Sequence, residues 1–159
     1  MIRAPAFFAL LLIAFGAAGT PCEMRDAGVA ALPQVDLEVS TGATEHRFRV
    51  WIAADDASRE RGLMHVPELQ SDRGMLFLFE RPRFAAFWMK DTCVSLDILF
   101  VAPDGRIVNI SRNAEPFSLS PIESIAPVSG VLEIPAGSAL RLGIVPGDHI
   151  RHPAFASGG

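Results

Sequence analysis

The segment at residues 61–100 constrains the fold of this chain more than any other part. Short apolar runs follow one another here, interrupted by charged residues, glycine and proline: they read GLM, GMLFLF, FWMK and LDILF. None of these runs leaves room for a helix of average length, which is about 11 residues. The segment therefore predicts a series of short strands and turns, and we expect function to be arranged around residues 88–97.

The first twenty residues have the order of a secretory signal peptide. Arg3 precedes an uncharged apolar run at residues 7–19, which ends in small residues, as the basic, apolar and cleavage regions of such a peptide do. The run is shorter than the roughly 20 residues that a membrane-spanning helix needs, so a retained anchor is the weaker alternative. Pro21 fits poorly with acylation of Cys22. We predict a signal peptide at residues 1–19 and export to the periplasm or the cell exterior, with no stable membrane span after cleavage.

The rest of the chain divides into a linker, one domain and a tail. Residues 20–34 show no sustained period and contain two prolines, so we predict a linker there. Residues 35–152 are long enough to form one domain with its own core, and the Gly/Ser-rich residues 153–159 are predicted to be a flexible tail. The formal net charge is -4 and the basic residues are scattered, which disfavours nucleic acid as a partner.

The two cysteines leave two arrangements open. Cys22 and Cys93 could form a disulfide in an oxidising compartment. Alternatively, Cys93 is a small buried apolar residue and Cys22 is free, which is how unpaired cysteines usually behave. We favour the second arrangement.

The alternation of apolar and polar residues predicts a mainly β domain. Many short strands with only two short helices favour a small β-barrel or closed sandwich, because open edges of such apolar strands would aggregate. Asp55 is a suitable N-cap for the first helix. The predicted strands are residues 35–39, 46–53, 75–79, 96–101, 106–113, 128–134 and 149–152, and the predicted helices are residues 57–64 and 136–143.

The order of the motifs in this domain resembles that of domain-of-unknown-function family 192. The motifs are RGLM, GMLF, FWMK followed by LD, the turn DG, VLEIPAG and a final GD, and together they cover about residues 35–152. The resemblance implies a compact, β-rich, barrel-like domain that is often exported, with no settled activity, cofactor or catalytic residue. The family pattern usually has asparagine where this chain has Asp91, so the resemblance does not give this position a neutral amide role.

The loop at residues 88–92 carries the parts of a small polar-ligand site. Trp88, Lys90, Asp91 and Thr92 bring an aromatic ring, a cation, an anion and a hydroxyl group together within five residues. Such a loop suits a sugar or another compact metabolite of the envelope. The predicted ligand-binding residues are Arg61, Trp88, Lys90, Asp91, Thr92 and Asp97.

A purely structural interpretation of the same loop stays open. Phe84, Phe87 and Trp88 could close one end of the barrel, because aromatic side chains mostly fill cores. Lys90 and Asp91 would then be exposed to solvent without a ligand.

Asp97 and Glu133 are acidic residues inside apolar strands. An isolated charge is costly to remove from water, so Asp97 needs hydrogen-bond donors, and we predict a buried structural carboxylate. The functional alternative is a hydrolase of envelope carbohydrate that uses Asp97 with Glu133 or Asp91 as an acid and base pair.

A copper-handling domain is the second alternative. Met64, Met75 and Met89, with Cys93 and His65, are soft or imidazole ligands that suit Cu(I), although each methionine also stands where a core filler is wanted.

No nucleophile elbow, phosphate-binding glycine loop or C-x-x-C motif is present. The sequence therefore identifies no catalytic residue, no metal site and no cofactor. It favours a non-catalytic module that binds an unknown small molecule or an envelope protein.

Overall fold

The computed structural model describes Cys22, residues 28–42 and residues 44–155. The predicted signal peptide, most of the predicted linker and residues 156–159 of the predicted tail lie outside these residues. Within the described ranges, no helix has the length and apolar character needed to cross a membrane.

Nine strands and two short helices make up the described part of the chain, which confirms the prediction of a mainly β fold. Each of the seven predicted strands overlaps an observed one, and the two-residue strands β4 and β7 have no counterpart in the prediction. The elements are β1 Gln34–Thr41, β2 Thr44–Ala53, α1 Asp56–Arg61, β3 Arg73–Arg83, β4 Ala86–Phe87, β5 Leu96–Val101, β6 Ile107–Ala114, β7 Ile122–Glu123, β8 Val128–Pro135, α2 Ser138–Arg141 and β9 His149–Arg151.

Seven strands form one curled sheet in the order β6-β5-β8-β3-β2-β1-β9, and β4 pairs with β7 in a separate ribbon. Neighbours in the large sheet are antiparallel except β2 and β3, which run parallel. The two edges of the sheet meet at one end, where Arg106 forms a bridge with His149. There the Ile150 amide donates to the Gly105 carbonyl at 2.8 Å. This curl gives the barrel-like domain that the strand pattern predicts.

Both faces of the sheet are covered by apolar side chains. One face carries the first core, which includes Met75, Phe77 and Phe100, and the other carries the second core, which includes Leu99 and Leu132. All six residues of β5 are buried, as expected for an apolar run with no alternation. Because side chains alternate along a strand, the pairing register decides which core each residue faces.

The two helices follow from their capping residues. Asp55 caps α1 as predicted: its carboxylate accepts from the Ser58 amide at 2.8 Å, and the Ser58 hydroxyl completes a capping box. The second helix is shorter than predicted because Pro135 still pairs with Leu96 at the end of β8. Gly137, with φ 78, then turns the chain into α2.

The described ends of the chain pack against the domain. Val29, which lies in the predicted linker, is 1% exposed and belongs to the first core. Phe155, in the predicted tail, is buried in the second core. Residues on both sides of the predicted domain therefore contribute to its packing.

The favoured prediction for the cysteines is wrong. Cys22 and Cys93 form a disulfide with a Cα–Cα distance of 5.9 Å. The packing of Val29 and its neighbours holds the beginning of the described chain against the domain, near the loop that carries Cys93. Local sequence pattern does not record this proximity, because the two residues are 71 positions apart.

Candidate functional site

A cavity of about 360 Å³ opens between α1, β3 and β4. Its walls combine aromatic rings with polar side chains, as binding sites for small molecules commonly do. Of the six predicted ligand-binding residues, Arg61, Trp88 and Thr92 line this cavity, and Lys90, Asp91 and Asp97 do not.

Glu133 is the acidic residue at the buried side of the cavity. It lies in the middle of β8, where it pairs with Met75 of β3 on one side and Ile98 of β5 on the other. Its side chain lines the cavity, yet the residue is only 4% exposed. Among the described residues, no hydrogen bond or ion pair reaches its carboxyl group. Burial raises the pKa of Glu133 to about 8, and no neighbouring charge opposes this effect.

The aromatic walls come from β3 and β4. Phe87 packs edge-on against Phe77 with ring centroids 4.8 Å apart, and against Phe100 at 6.2 Å. Trp88 follows Phe87 directly, lines the same cavity and is 51% exposed. Phe84 is also exposed. Phe84, Phe87 and Trp88 were the three residues that could close one end of the barrel, and of these only Phe87 packs against the first core.

The loop after Trp88 is a tight turn. The Thr92 amide donates to the Met89 carbonyl at 3.1 Å, and Asp91 adopts φ 52. Asparagine and aspartate tolerate this left-handed backbone better than most residues. The backbone therefore explains why an aspartate suits this position. Lys90 lies over the Trp88 ring, with Nζ 5.5 Å from its centroid, outside the cavity.

Thr92 and Arg61 approach the cavity from different elements. Thr92 is 5% exposed, forms a bridge with Met64 and donates its hydroxyl to the Lys90 carbonyl at 3.1 Å. Arg61 is the last residue of α1, and its guanidinium lies against Gly28, where an added Cβ would force the arginine side chain to move. The two side chains are brought to one cavity only by the fold.

Two further arginines beside the cavity have partners within the protein. Arg59 donates to the Leu78 carbonyl at 2.9 Å and forms an ion pair with Asp56 at 2.6 Å. The Arg83 guanidinium lies 5.4 Å from the centroid of the Phe79 ring. These contacts fix the α1 side of the cavity in place.

Asp97 is a buried structural carboxylate. It is fully buried, and its Oδ1 accepts from the Asn113 amide at 2.9 Å while its Oδ2 accepts from the Ala139 amide at 2.8 Å. Asp97 pairs with Ile134, whereas Glu133 pairs with Ile98. Adjacent residues of a strand point to opposite faces, so Asp97 and Glu133 face different cores. The pairing of these two residues in the hydrolase alternative is therefore wrong, and the side chain of Asp91 does not line the cavity either.

The soft-ligand set of the copper alternative is divided. Met75 and Met89 are buried in the first core, Met64 lines the cavity, and the sulfur of Cys93 belongs to the disulfide. A disulfide sulfur is not the thiolate that a soft metal prefers. Within the described ranges, no three His, Cys, Asp or Glu side chains are grouped to hold a metal ion.

Comparison with known proteins fits the motif order and the fold. The profile of DUF192, described as "Uncharacterized ACR, COG1430", matches residues 37–152. The chain belongs to this family. None of the curated proteins matches the chain significantly.

Two solved structures are similar to this one. A chain from Sinorhizobium meliloti 1021, provisionally described as a transcription regulator, is 40% identical, and the alignment covers 77% of this chain and 96% of that chain with a TM-score of 0.76. A protein of unknown function from Novosphingobium aromaticivorans DSM 12444 is 38% identical, with coverage of 86% and 100% and a TM-score of 0.76. The fold of this DUF192 domain is therefore shared with both.

The sequence predicted some of the cavity residues and missed others. It singled out Trp88 and Thr92 by their chemistry, and it treated Glu133 as an ambiguous partner of Asp97. The signal for Glu133 was its place inside the apolar run VLEIP. Only the pairing register of β5 and β8 shows that Glu133 and Asp97 face opposite sides of the sheet. Only the three-dimensional arrangement of β3 and β4 shows that Phe77 and Phe87 line the cavity.

Proposed function

We propose that this DUF192 protein is an exported, non-catalytic module of the bacterial envelope that binds a small ligand in the cavity beside α1. One observation carries the proposal: a buried carboxyl group, that of Glu133, faces this cavity without a partner among the described residues. Native proteins nearly always satisfy buried polar groups, so a carboxyl group left open toward a cavity indicates a site completed by a ligand.

The size and lining of the cavity support a compact ligand. A volume of about 360 Å³ lies at the lower end of the range for small-molecule pockets. Phe87 and Trp88 offer apolar ring surface, while Thr92 and Arg61 add polar groups at other sides. A ligand of this kind would contact protein groups on several sides at once.

The positions of the acidic residues support binding rather than hydrolysis. Hydrolysis of a glycosidic bond by an acid and a base uses two carboxyl groups, about 5–10 Å apart, on either side of that bond. Asp97 faces the other core, and the acidic side chains on α1 that line the cavity, Asp56 and Glu60, are exposed. Glu133 alone therefore serves better as a recognition group.

The disulfide supports export. Disulfides persist in the periplasm and outside the cell but are kept reduced in the cytosol of ordinary bacteria. The Cys22–Cys93 bond lies just beyond the segment whose sequence has the order of a signal peptide. A net charge of -4 with scattered basic residues favours a small ligand over nucleic acid.

The binding function can be tested on protein purified from the envelope fraction. Native mass spectrometry would identify co-purified molecules, and a thermal-shift screen of small envelope metabolites would reveal others. We expect at least one compound to stabilise the wild type, and to stabilise Trp88→Ala and Thr92→Val less. Leu140→Ala, an exposed change outside the cavity lining, is the matched control and should behave like the wild type. If no compound binds, or if binding is equal in all four proteins, the cavity is not the site.

Export can be tested separately by cell fractionation with thiol labelling. We expect the chain in the envelope fraction, with Cys22 and Cys93 protected from alkylation until a reductant is added. Recovery of the chain in the cytosol with both thiols reactive would overturn the proposed location.

A further inference from the structure

We propose that the ligand of this cavity carries a positively charged amine, which forms an ion pair with Glu133 among the rings of Phe77, Phe87 and Trp88. This inference rests on the proposed function and names the ligand class. It stands on three features of the cavity: the isolation of the carboxyl group, the placement of the rings and the positions of the existing cations.

The isolation of Glu133 follows from its strand neighbours. Met75 and Ile98 flank it on β3 and β5 and offer only apolar side chains. A carboxylate at this position has lost most of its water without gaining a donor, and such a group favours a proton or a cation that brings its own hydrogen-bond donors. A primary or secondary ammonium group supplies both a charge and the donors.

The rings favour a cation in the same place. Phe77, Phe87 and Trp88 line the cavity together with Glu133. The faces of aromatic rings carry partial negative charge and attract cations, most strongly where water is excluded. Rings and a carboxyl group in one pocket are the combination that recognises organic ammonium ions.

The cations already present do not occupy this role. The charged groups that share the cavity lining with Glu133 are Asp56, Arg59, Glu60 and Arg61 on α1 and Arg83 at the end of β3. The residues paired with Glu133 on the neighbouring strands, Met75 and Ile98, carry no charge. None of the arginines lowers the pKa of Glu133, since burial is its single resolved cause. Among the described residues, no hydrogen bond or ion pair joins any of these arginines to Glu133, so its carboxyl group stays open to a ligand.

Such a ligand binds with a characteristic dependence on pH. At neutral pH most of the Glu133 carboxyl is protonated, because burial raises its pKa to about 8. An ammonium ligand requires the ionised form, so its binding releases a proton, and its affinity should rise by about a factor of ten per pH unit below that pKa. A carboxylate ligand requires the protonated form and should lose affinity over the same range.

Three probes of matched size distinguish the ligand classes: benzylammonium, benzyl alcohol and benzoate. Their affinities for the protein purified from the envelope fraction would be measured by NMR titration at pH 6, 7 and 8. We expect benzylammonium to bind most tightly at pH 8 and to weaken about tenfold per unit toward pH 6. In Glu133→Gln, we expect the affinity for benzylammonium to fall at least about tenfold at pH 8 and to become independent of pH.

Glu60→Gln is the matched control, because it removes an exposed carboxylate from the same cavity lining. It should leave the pH dependence in place. The inference is overturned if benzylammonium does not bind at pH 8, if either other probe binds more tightly, or if Glu133→Gln keeps the slope.

Failure of the ligand class is distinct from failure of the proposed function. Tighter binding of benzoate or benzyl alcohol that Trp88→Ala weakens would keep the cavity as a binding site and reject only the amine. If no probe and no screened metabolite binds, both the ligand class and the proposed function fail.

Discussion

Asp97 and Glu133 lie on neighbouring strands, one position out of register, and point to opposite faces of the sheet. Asp97 is opposite Ile134, and Glu133 is opposite Ile98. One carboxyl group is bound by two backbone amides, while the other faces a cavity without a protein partner among the described residues. Two acidic residues that look alike in sequence, each inside an apolar strand, therefore have different surroundings.

Asp97→Ala should lower the free energy of unfolding by about 1–3 kcal/mol, because it leaves the amides of Asn113 and Ala139 without this acceptor. Urea denaturation monitored by tryptophan fluorescence would measure the change. Asp72→Ala removes an exposed carboxylate and should alter stability by less than about 0.5 kcal/mol. An Asp97→Ala protein as stable as the wild type would contradict the structural role.

Glu133→Gln should change how stability depends on pH. The pKa of Glu133 is about 8 in the folded protein against an ordinary value of 4.5, so the folded state holds this proton more tightly than the unfolded state. The stabilisation from protonated Glu133 is complete below about pH 4.5 and is lost as pH rises toward 8. Relative to the glutamine variant, the wild type should lose about 2–4 kcal/mol between pH 4.5 and 7.5.

Urea denaturation of both proteins at the two pH values would measure this difference. Glu123→Gln, at an exposed position of β7, is the control and should show little pH-dependent difference from the wild type. A constant gap between wild type and Glu133→Gln at both pH values would show that Glu133 ionises as freely in the folded protein as in the unfolded chain.

Trp88→Ala and Phe87→Ala should separate binding from folding. Trp88 is half exposed, so its removal should lower stability by less than about 1 kcal/mol while weakening ligand capture. Phe87 packs against Phe77 and Phe100, and its removal should cost about 3–5 kcal/mol. Thermal unfolding with and without a bound compound would measure both effects. Equal losses of stability and binding in Trp88→Ala would favour a packing role for the indole.

Loss of the disulfide should destabilise the domain. The bond joins residues 71 positions apart, and a cross-link of this kind stabilises by about 2–4 kcal/mol, mainly by restricting the unfolded chain. The double variant Cys22→Ser, Cys93→Ser should lose this amount in denaturation without reductant. Reductant should bring the wild type to the same stability and leave the double variant unchanged. A wild type insensitive to reductant would argue against the bond.

Strand patterns were the most predictable part of this DUF192 fold. Residues 96–101 read as a buried strand from their composition, and Asp55 read as a cap from its position before α1, since both signals depend on near neighbours in sequence. The link between Cys22 and Cys93 was not predictable in this way. It depends on how the segment around Val29 packs on the first core, which local pattern does not record.

For the candidate site, the sequence supplied chemistry and the fold supplied position. Trp88 and Thr92 were predicted from the density of polar and aromatic groups in their loop, and both line the cavity. Lys90 belongs to the same loop, but its Nζ lies over the indole ring and its side chain does not line the cavity. Five adjacent residues therefore do not form one site.

The sequence by itself determined the family, the mainly β class and the approximate position of the strands in the large sheet, because periodicity and turn residues are local properties of the chain. Only the tertiary structure decided that Glu133 faces a cavity while Asp97 is bound by backbone amides. The reason is that side chains alternate along a strand, so a shift of one residue in pairing exchanges the two faces of the sheet. That register is set by long-range packing between strands distant in sequence.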